Sequence, residues 1–159
     1  EMKKRAADTA GKPEPLAQTR LRQFAGYEMK MAYLLIQEDM TRILKPTGLR
    51  IVTFSALGIV VENPDISQTQ LSHALQIERS GVVVIVDELE NAELISRNKV
   101  EGDRRSYALR ATLKGRNLWS RTEKLVHEHE DGILSGLTPA ERETLKALLG
   151  RIIEDNRKS

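Results

Sequence analysis

The 159-residue chain contains no cysteine. That excludes a disulfide framework, a thiolate zinc site and a cysteine-based peroxide sensor, and it suits a reducing compartment. Aromatic residues make up only 4% of the chain, so a core must be assembled from Leu, Ile, Val and Ala, as in a helical protein. No apolar run approaches the roughly 18–20 residues needed to span a bilayer. An excess of one charge is missing as well. The 25 basic and 23 acidic residues leave a formal +2, so any electrostatic argument has to be local. Neither a nucleophile–base motif nor a glycine-rich phosphate loop occurs, which argues against an enzyme, and no cofactor is expected. The opening segment EMKKRAADTAGKPEPLAQ has basic residues with no hydrophobic stretch behind them. It is expected to be a flexible arm over residues 1–15 rather than a signal peptide, and the expected location is the cytoplasm.

What is present is helical periodicity. Leu21, Phe24, Ala25, Met31, Ala32, Leu35, Met40, Ile43 and Leu44 recur at three- and four-residue steps. The spacing predicts one long helix over about 15–45, stopped by Pro46 and Gly48. A second helix is predicted over 51–62, ending at Asn-Pro-Asp. In ISQTQLSHAL, Ser67 lies three residues before Gln70, a capping box that opens a short helix. GVVVIV at 81–86 looks like a buried strand, but at 100° per residue Val82, Ile85, Val86 and Leu89 share one face. With DELENAEL following and no turn residue between, helix is the better reading. The period then changes to two. LISRNKV and SYALRAT alternate like short strands around the polar connector EGDRR, a hairpin. Helix returns over about 112–134. A last helix starts at LTPAERE, with Thr138 as N-cap, Pro139 first and Glu141 third. Its apolar seam is Leu145, Leu148, Leu149, Ile152 and Ile153.

Helix, short helix, tight turn, helix and charged hairpin make a winged helix-turn-helix. In that arrangement the second helix of the pair enters the major groove of DNA, and a wing arginine can enter the minor groove. Local charge agrees: residues 95–116 hold seven basic and two acidic side chains, +5 on a nearly neutral chain.

Over about residues 21–151 the chain resembles the MarR family of transcriptional regulators. The resemblance rests on GLRIVTFSALGIV, ISQTQLSHAL, VDELENAELISR and, above all, GDRRSYALRATLKG, with its Asp-x-Arg wing and its Thr-x-x-Gly opening the next helix. It implies a mainly α fold with a small β-hairpin wing, and a homodimer held by intertwined N- and C-terminal helices. Residues 16–48 and 116–159 would then form the dimerisation region and 49–115 the DNA-binding lobe. The partners implied are a double-stranded, pseudo-palindromic operator and a small organic effector, an aromatic acid or its acyl thioester, that releases a repressor. By the same resemblance Asp103 orients Arg105 into the minor groove, with Arg104 on the backbone. Ser67, Gln68, Thr69 and Gln70 contact phosphates, and Arg79, Ser80, Val83 and Val84 face the bases. Valine can only pack there, most naturally on a thymine methyl. Gln76 and Glu93 stand where relatives often carry glycine, so both positions call for unusual backbone. The implied effector lining is Tyr27, Met31, Phe54, Leu57 and Trp119. The cluster HEHED at 127–131 is expected to be a solvated helical face rather than a metal site, since His127 and His129 point about 200° apart. The competing reading is a winged-helix module for protein contacts or weakly specific DNA architecture, with no small-molecule effector.

Overall fold

A computed structural model describes residues 14–157, without the side chains of Arg104 and Arg105. The arm expected over 1–15 therefore lies almost wholly outside the described residues. The chain forms two compact units, residues 1–34 and 35–159.

The first unit corrects the expectation of one unbroken helix. A single turn, α1 (Thr19–Arg22), is separated by Gln23 and Phe24 from α2 (Ala25–Leu44). At the break the Phe24 N–H closes back on the Leu21 carbonyl at 3.0 Å, while the Phe24 carbonyl accepts from the Tyr27 and Glu28 N–H groups at 3.1 and 3.2 Å. Side chains bridge the gap. Arg22 Nε donates to Glu28 Oε1 at 2.8 Å, and Tyr27 Oη donates to Gln18 Oε1 at 2.7 Å. The Arg22 hydrogen bond holds the Glu28 carboxyl below its ordinary pKa, and Glu28 raises that of Arg22. Glu28 also stands in the first turn of α2, where a negative charge suits the helix dipole.

In the second unit α2 ends in a 3₁₀ turn, Lys45–Thr47, closed by Gly48 at φ 75°. A side chain would be strained there. Then come α3 (Ile51–Glu62), β1 (Ile66–Ser67), α4 (Gln68–Leu75), α5 (Arg79–Asn91), β2 (Ile95–Val100), β3 (Asp103–Ala111), α6 (Leu113–Ile133) and α7 (Pro139–Arg157). GVVVIV is helical, as its periodicity predicts. Val82, Ile85, Val86 and Leu89 are buried among Leu57, Val60, Leu71 and Leu109. The three strands are antiparallel in the order β1-β3-β2. β1 was not expected: Ile66 and Ser67 become a strand by pairing with Leu109 and Ala108. The connector also contracts. Val100 pairs with Asp103 across Glu101 and Gly102, and Gly102 has φ 85°. Asp103, Arg104 and Arg105 thus begin β3 rather than lying in a loop.

Thr-x-x-Gly acquires a mechanical meaning. Thr112 Oγ1 accepts from the Gly115 N–H at 3.0 Å and donates to the Glu93 carbonyl at 2.7 Å. The Thr112 N–H donates to the Leu94 carbonyl at 3.0 Å. A Cβ on Gly115 would run into that same Leu94 carbonyl oxygen. The motif thus caps α6 and clamps its first turn onto the segment leaving α5. Gln76 and Glu93 do adopt left-handed backbone, at φ 54° and 60°. Gln76 closes α4 through its N–H to the His73 carbonyl, the role in which glycine is usual. Asp65, at φ 69°, is a third left-handed residue, unannounced by the sequence, and its N–H donates to the Leu109 carbonyl at 3.0 Å.

Candidate nucleic-acid interface

α4, a tight turn, α5 and the β2–β3 hairpin are consecutive elements of one unit. The front of α4 is fixed by its capping box: Ser67 Oγ accepts from the Gln70 N–H at 3.1 Å, and Gln70 Oε1 accepts from the Ser67 N–H at 3.0 Å. Ser67 and Gln68 are half-buried, while Thr69 and Gln70 are exposed. The Ser67 and Gln70 side chains are thus engaged in shaping the helix end where phosphate contacts are expected.

On α5, Arg79, Ser80, Val83 and Val84 are all exposed, Val83 by 45% and Val84 by 61%. Ser80, Val83, Val84 and Asp87 follow the i, i+3, i+4, i+7 spacing of one helical face. The carboxylates of the rear half are tied to neighbouring elements. Asp87 is paired with Arg97 of β2, and Glu88 accepts from Arg50, just ahead of α3, at 2.5 Å. The Glu88 hydrogen bond raises the pKa of Arg50. Glu90 lies 3.9 Å from the same Arg97.

These pairs revise the charge count of the wing. Of the seven basic residues in 95–116, Arg97 is held by Asp87, Lys114 lies 3.7 Å from Glu93, and Arg110 clasps Asp65 through two bonds of 2.6 Å. The hydrogen bond from Arg110 holds the Asp65 carboxyl below its usual range, and Asp65 raises Arg110 in turn. Arg116 donates to the Ala111 carbonyl. Lys99 and Asp103 are exposed near the tip. The parts expected of the Arg104 and Arg105 side chains lie outside the described residues. Sequence reasoning missed these compensating acids because they come from elsewhere in the chain; Asp65 and Arg110 are 45 residues apart.

Of the expected effector lining in the second unit, Phe54 and Trp119 stack with centroids 5.7 Å apart and rings within 7° of parallel. Leu57 is fully buried in the core. The Trp119 indole lies on Gly58, where a Cβ would come within 2.6 Å of Nε1, and Nε1 is buried without a hydrogen-bond partner. Tyr27 and Met31 belong to the first unit, Tyr27 bound to Gln18 and Met31 exposed.

In HEHED, His127 is exposed and His129 is buried, its Nδ1 2.5 Å from Asp39 Oδ2. Hydrogen bonds from Arg42 first, and His129 second, hold Asp39 below the ordinary carboxylate range. Asp131 is occupied by Arg142 at 2.8 Å. Among the described residues no three His, Cys, Asp or Glu side chains are grouped to hold a metal ion. Nor is any single helix among them long and apolar enough to cross a membrane.

A helix pair with an exposed second helix, followed by a two-stranded wing and flanked by α2, α6 and α7, defines a winged helix-turn-helix protein. A model of the MarR family matches residues 47–106. The chain is 30% identical over 128 residues to a candidate transcriptional regulatory protein for the hcr operon of Thauera aromatica, covering 80% of this chain and 77% of the relative. The transcriptional repressor CouR, in a structure bound to a 23-mer DNA duplex, matches with a TM-score of 0.83 at 34% identity, over 88% of this chain and 99% of that one. CouR bound to p-coumaroyl-CoA matches at 0.78 and 31%, over 87% and 98% of the two chains. The chain belongs to the MarR family and is a transcriptional regulator.

Proposed function

We propose that the protein is a cytoplasmic, homodimeric repressor that binds a pseudo-palindromic operator and is released by an aromatic acid or its acyl thioester. The observation that carries DNA binding is the exposed face of α5 beside the wing, in a chain 34% identical to a repressor whose structure holds a DNA duplex. Two-fold symmetry of the dimer sets the half-sites about one helical turn apart. Residues 16–48 and 116–159 supply the dimer interface in this reading, and 49–115 the DNA-binding lobe. Asp103 orients Arg105 for the minor groove; Arg104, Ser67, Gln68, Thr69 and Gln70 hold the backbone.

The effector class is supported by CouR, whose structure with p-coumaroyl-CoA is 31% identical to this chain, and by the Phe54–Trp119 stack. A planar acyl group suits such a pair. A ligand of this kind releases DNA only through its preference for one of two dimer arrangements.

The test is titration of an operator duplex with the protein at several salt concentrations. Affinity is expected to fall steeply as salt rises, because bound counterions are released. Arg105→Ala should weaken operator binding by about 1–3 kcal/mol. p-Coumaroyl-CoA should then displace the wild-type protein from the duplex. A protein that binds operator and random DNA equally would support the architectural reading instead, and unchanged binding by Arg105→Ala would remove the wing from the interface.

A further inference from the structure

We infer that α5 reads its operator by methyl groups: Val83 and Val84 form an apolar contact for the C5-methyl of a pyrimidine in the major groove. The inference rests on the DNA-binding reading above and specifies what the recognition helix discriminates.

The face that α5 leaves exposed is chemically unusual. At its centre stand two isopropyl groups, Val83 and Val84, more exposed than any other apolar residue of the helix. Val82, Ile85, Val86 and Leu89 on the opposite side hold the helix in the core. The one ionised group on the same face, Asp87, is tied to Arg97, and the next acid, Glu88, is tied to Arg50. Exposed polar side chains flank the valines at the two ends of the helix, Arg79 and Ser80 in its first turn and Asn91 at its last residue. A valine neither donates nor accepts a hydrogen bond, so it discriminates by shape and desolvation alone. In the major groove each base pair presents donors and acceptors, and the only apolar group among them is the C5-methyl of thymine. A contact of this kind is blind to hydrogen-bonding pattern. It should therefore treat a 5-methylcytosine·guanine pair, which carries a methyl at the same position, as it treats thymine·adenine.

The experiment uses the full chain and a duplex selected from a random library by affinity for it. Thymines are replaced one at a time by deoxyuridine, which removes the methyl and leaves the pairing groups unchanged. At the positions under α5, each lost methyl is expected to weaken binding about fourfold, the transfer free energy of one buried carbon. Placing 5-methylcytosine·guanine at those positions should restore affinity to within about twofold. In the Val83→Ala, Val84→Ala double variant the deoxyuridine penalty should vanish, because the groups it couples to are gone. The inference is overturned if deoxyuridine and thymine duplexes bind equally. It is also overturned if the penalty persists in the double variant, since the methyl then acts through DNA stiffness, or if the valine face proves to contact a protein. Failure of selection to yield any duplex bound above random DNA would defeat the DNA-binding reading itself. A selected operator insensitive to deoxyuridine defeats only the methyl contact.

Discussion

α5 and α7 carry the same kind of residue and treat it in opposite ways. In α5 four branched aliphatic side chains are buried against the lobe and two, Val83 and Val84, are left outside. In α7 no residue is buried, and Leu145, Leu148, Ile152 and Ile153 are between 37% and 49% exposed. Both sequences show the helical spacing that predicts an apolar face. The difference lies in what stands opposite. α5 is closed over by α3, α4 and β3 of its own unit. Among the described residues the α7 seam finds no cover, and a contiguous apolar stripe left in water signals an interface. In the reading proposed above, the exposed aliphatic pair on a well-anchored helix and the exposed seam answer to different partners: DNA for the first, a second copy of the chain for the second.

Breaking the α7 side should have the largest effect. Leu148→Arg with Ile152→Arg places two charges in each copy's half of the proposed dimer interface, where an unpaired buried charge costs several kcal/mol. The dimer dissociation constant should rise on the order of a thousandfold or more. Sedimentation or light scattering is expected to report a monomer, while circular dichroism of the lobe survives. A variant that remains dimeric would move the interface away from this seam.

The α5 side should break differently. Leu89 is fully buried, so Leu89→Ala should lower unfolding free energy by about 3 kcal/mol, through lost burial plus the cavity left behind. Chemical denaturation of wild type and variant at one protein concentration measures it. A loss below about 1 kcal/mol would mean that the lobe collapses onto the gap and that α5 is less firmly seated than its packing implies.

How much of this could be read from the chain divides along the same line. The seating of α5 was legible because periodicity is local: four residues at i, i+3, i+4 and i+7 suffice to name a face. The strain at Gln76 and Glu93 was legible too, since a helix end that relatives close with glycine forces left-handed backbone on whatever replaces it. Three features were not. The break at Gln23–Phe24 carries no proline or glycine to announce it. β1 exists only because Leu109 and Ala108 lie alongside it. The wing's excess charge is reduced by Asp87 of α5 and by Asp65 of the turn before β1, acids outside the hairpin. Pairings between distant segments leave no mark on local spacing, so a count of charges along the chain overstated the field in space.

The smallest expected effect is the one that separates reading from packing on a single helix. Val84→Ala changes two opposing terms in the free protein. Alanine is the better helix former by about 0.5 kcal/mol. Against that, the variant loses the part of the valine side chain that is covered, and with 61% of the residue exposed that loss is also about 0.5 kcal/mol. The two nearly cancel, and the melting temperature should move by less than about 2 °C, while sensitivity to the thymine methyl declines. Leu89→Ala, five residues further along the same helix, should show the reverse: a large loss of stability and an unchanged ratio of thymine to deoxyuridine binding under conditions where the lobe is folded. If Val84→Ala instead costs 2 kcal/mol or more, its side chain is packed within the free molecule. The apolar face of α5 then belongs to the core and not to the operator.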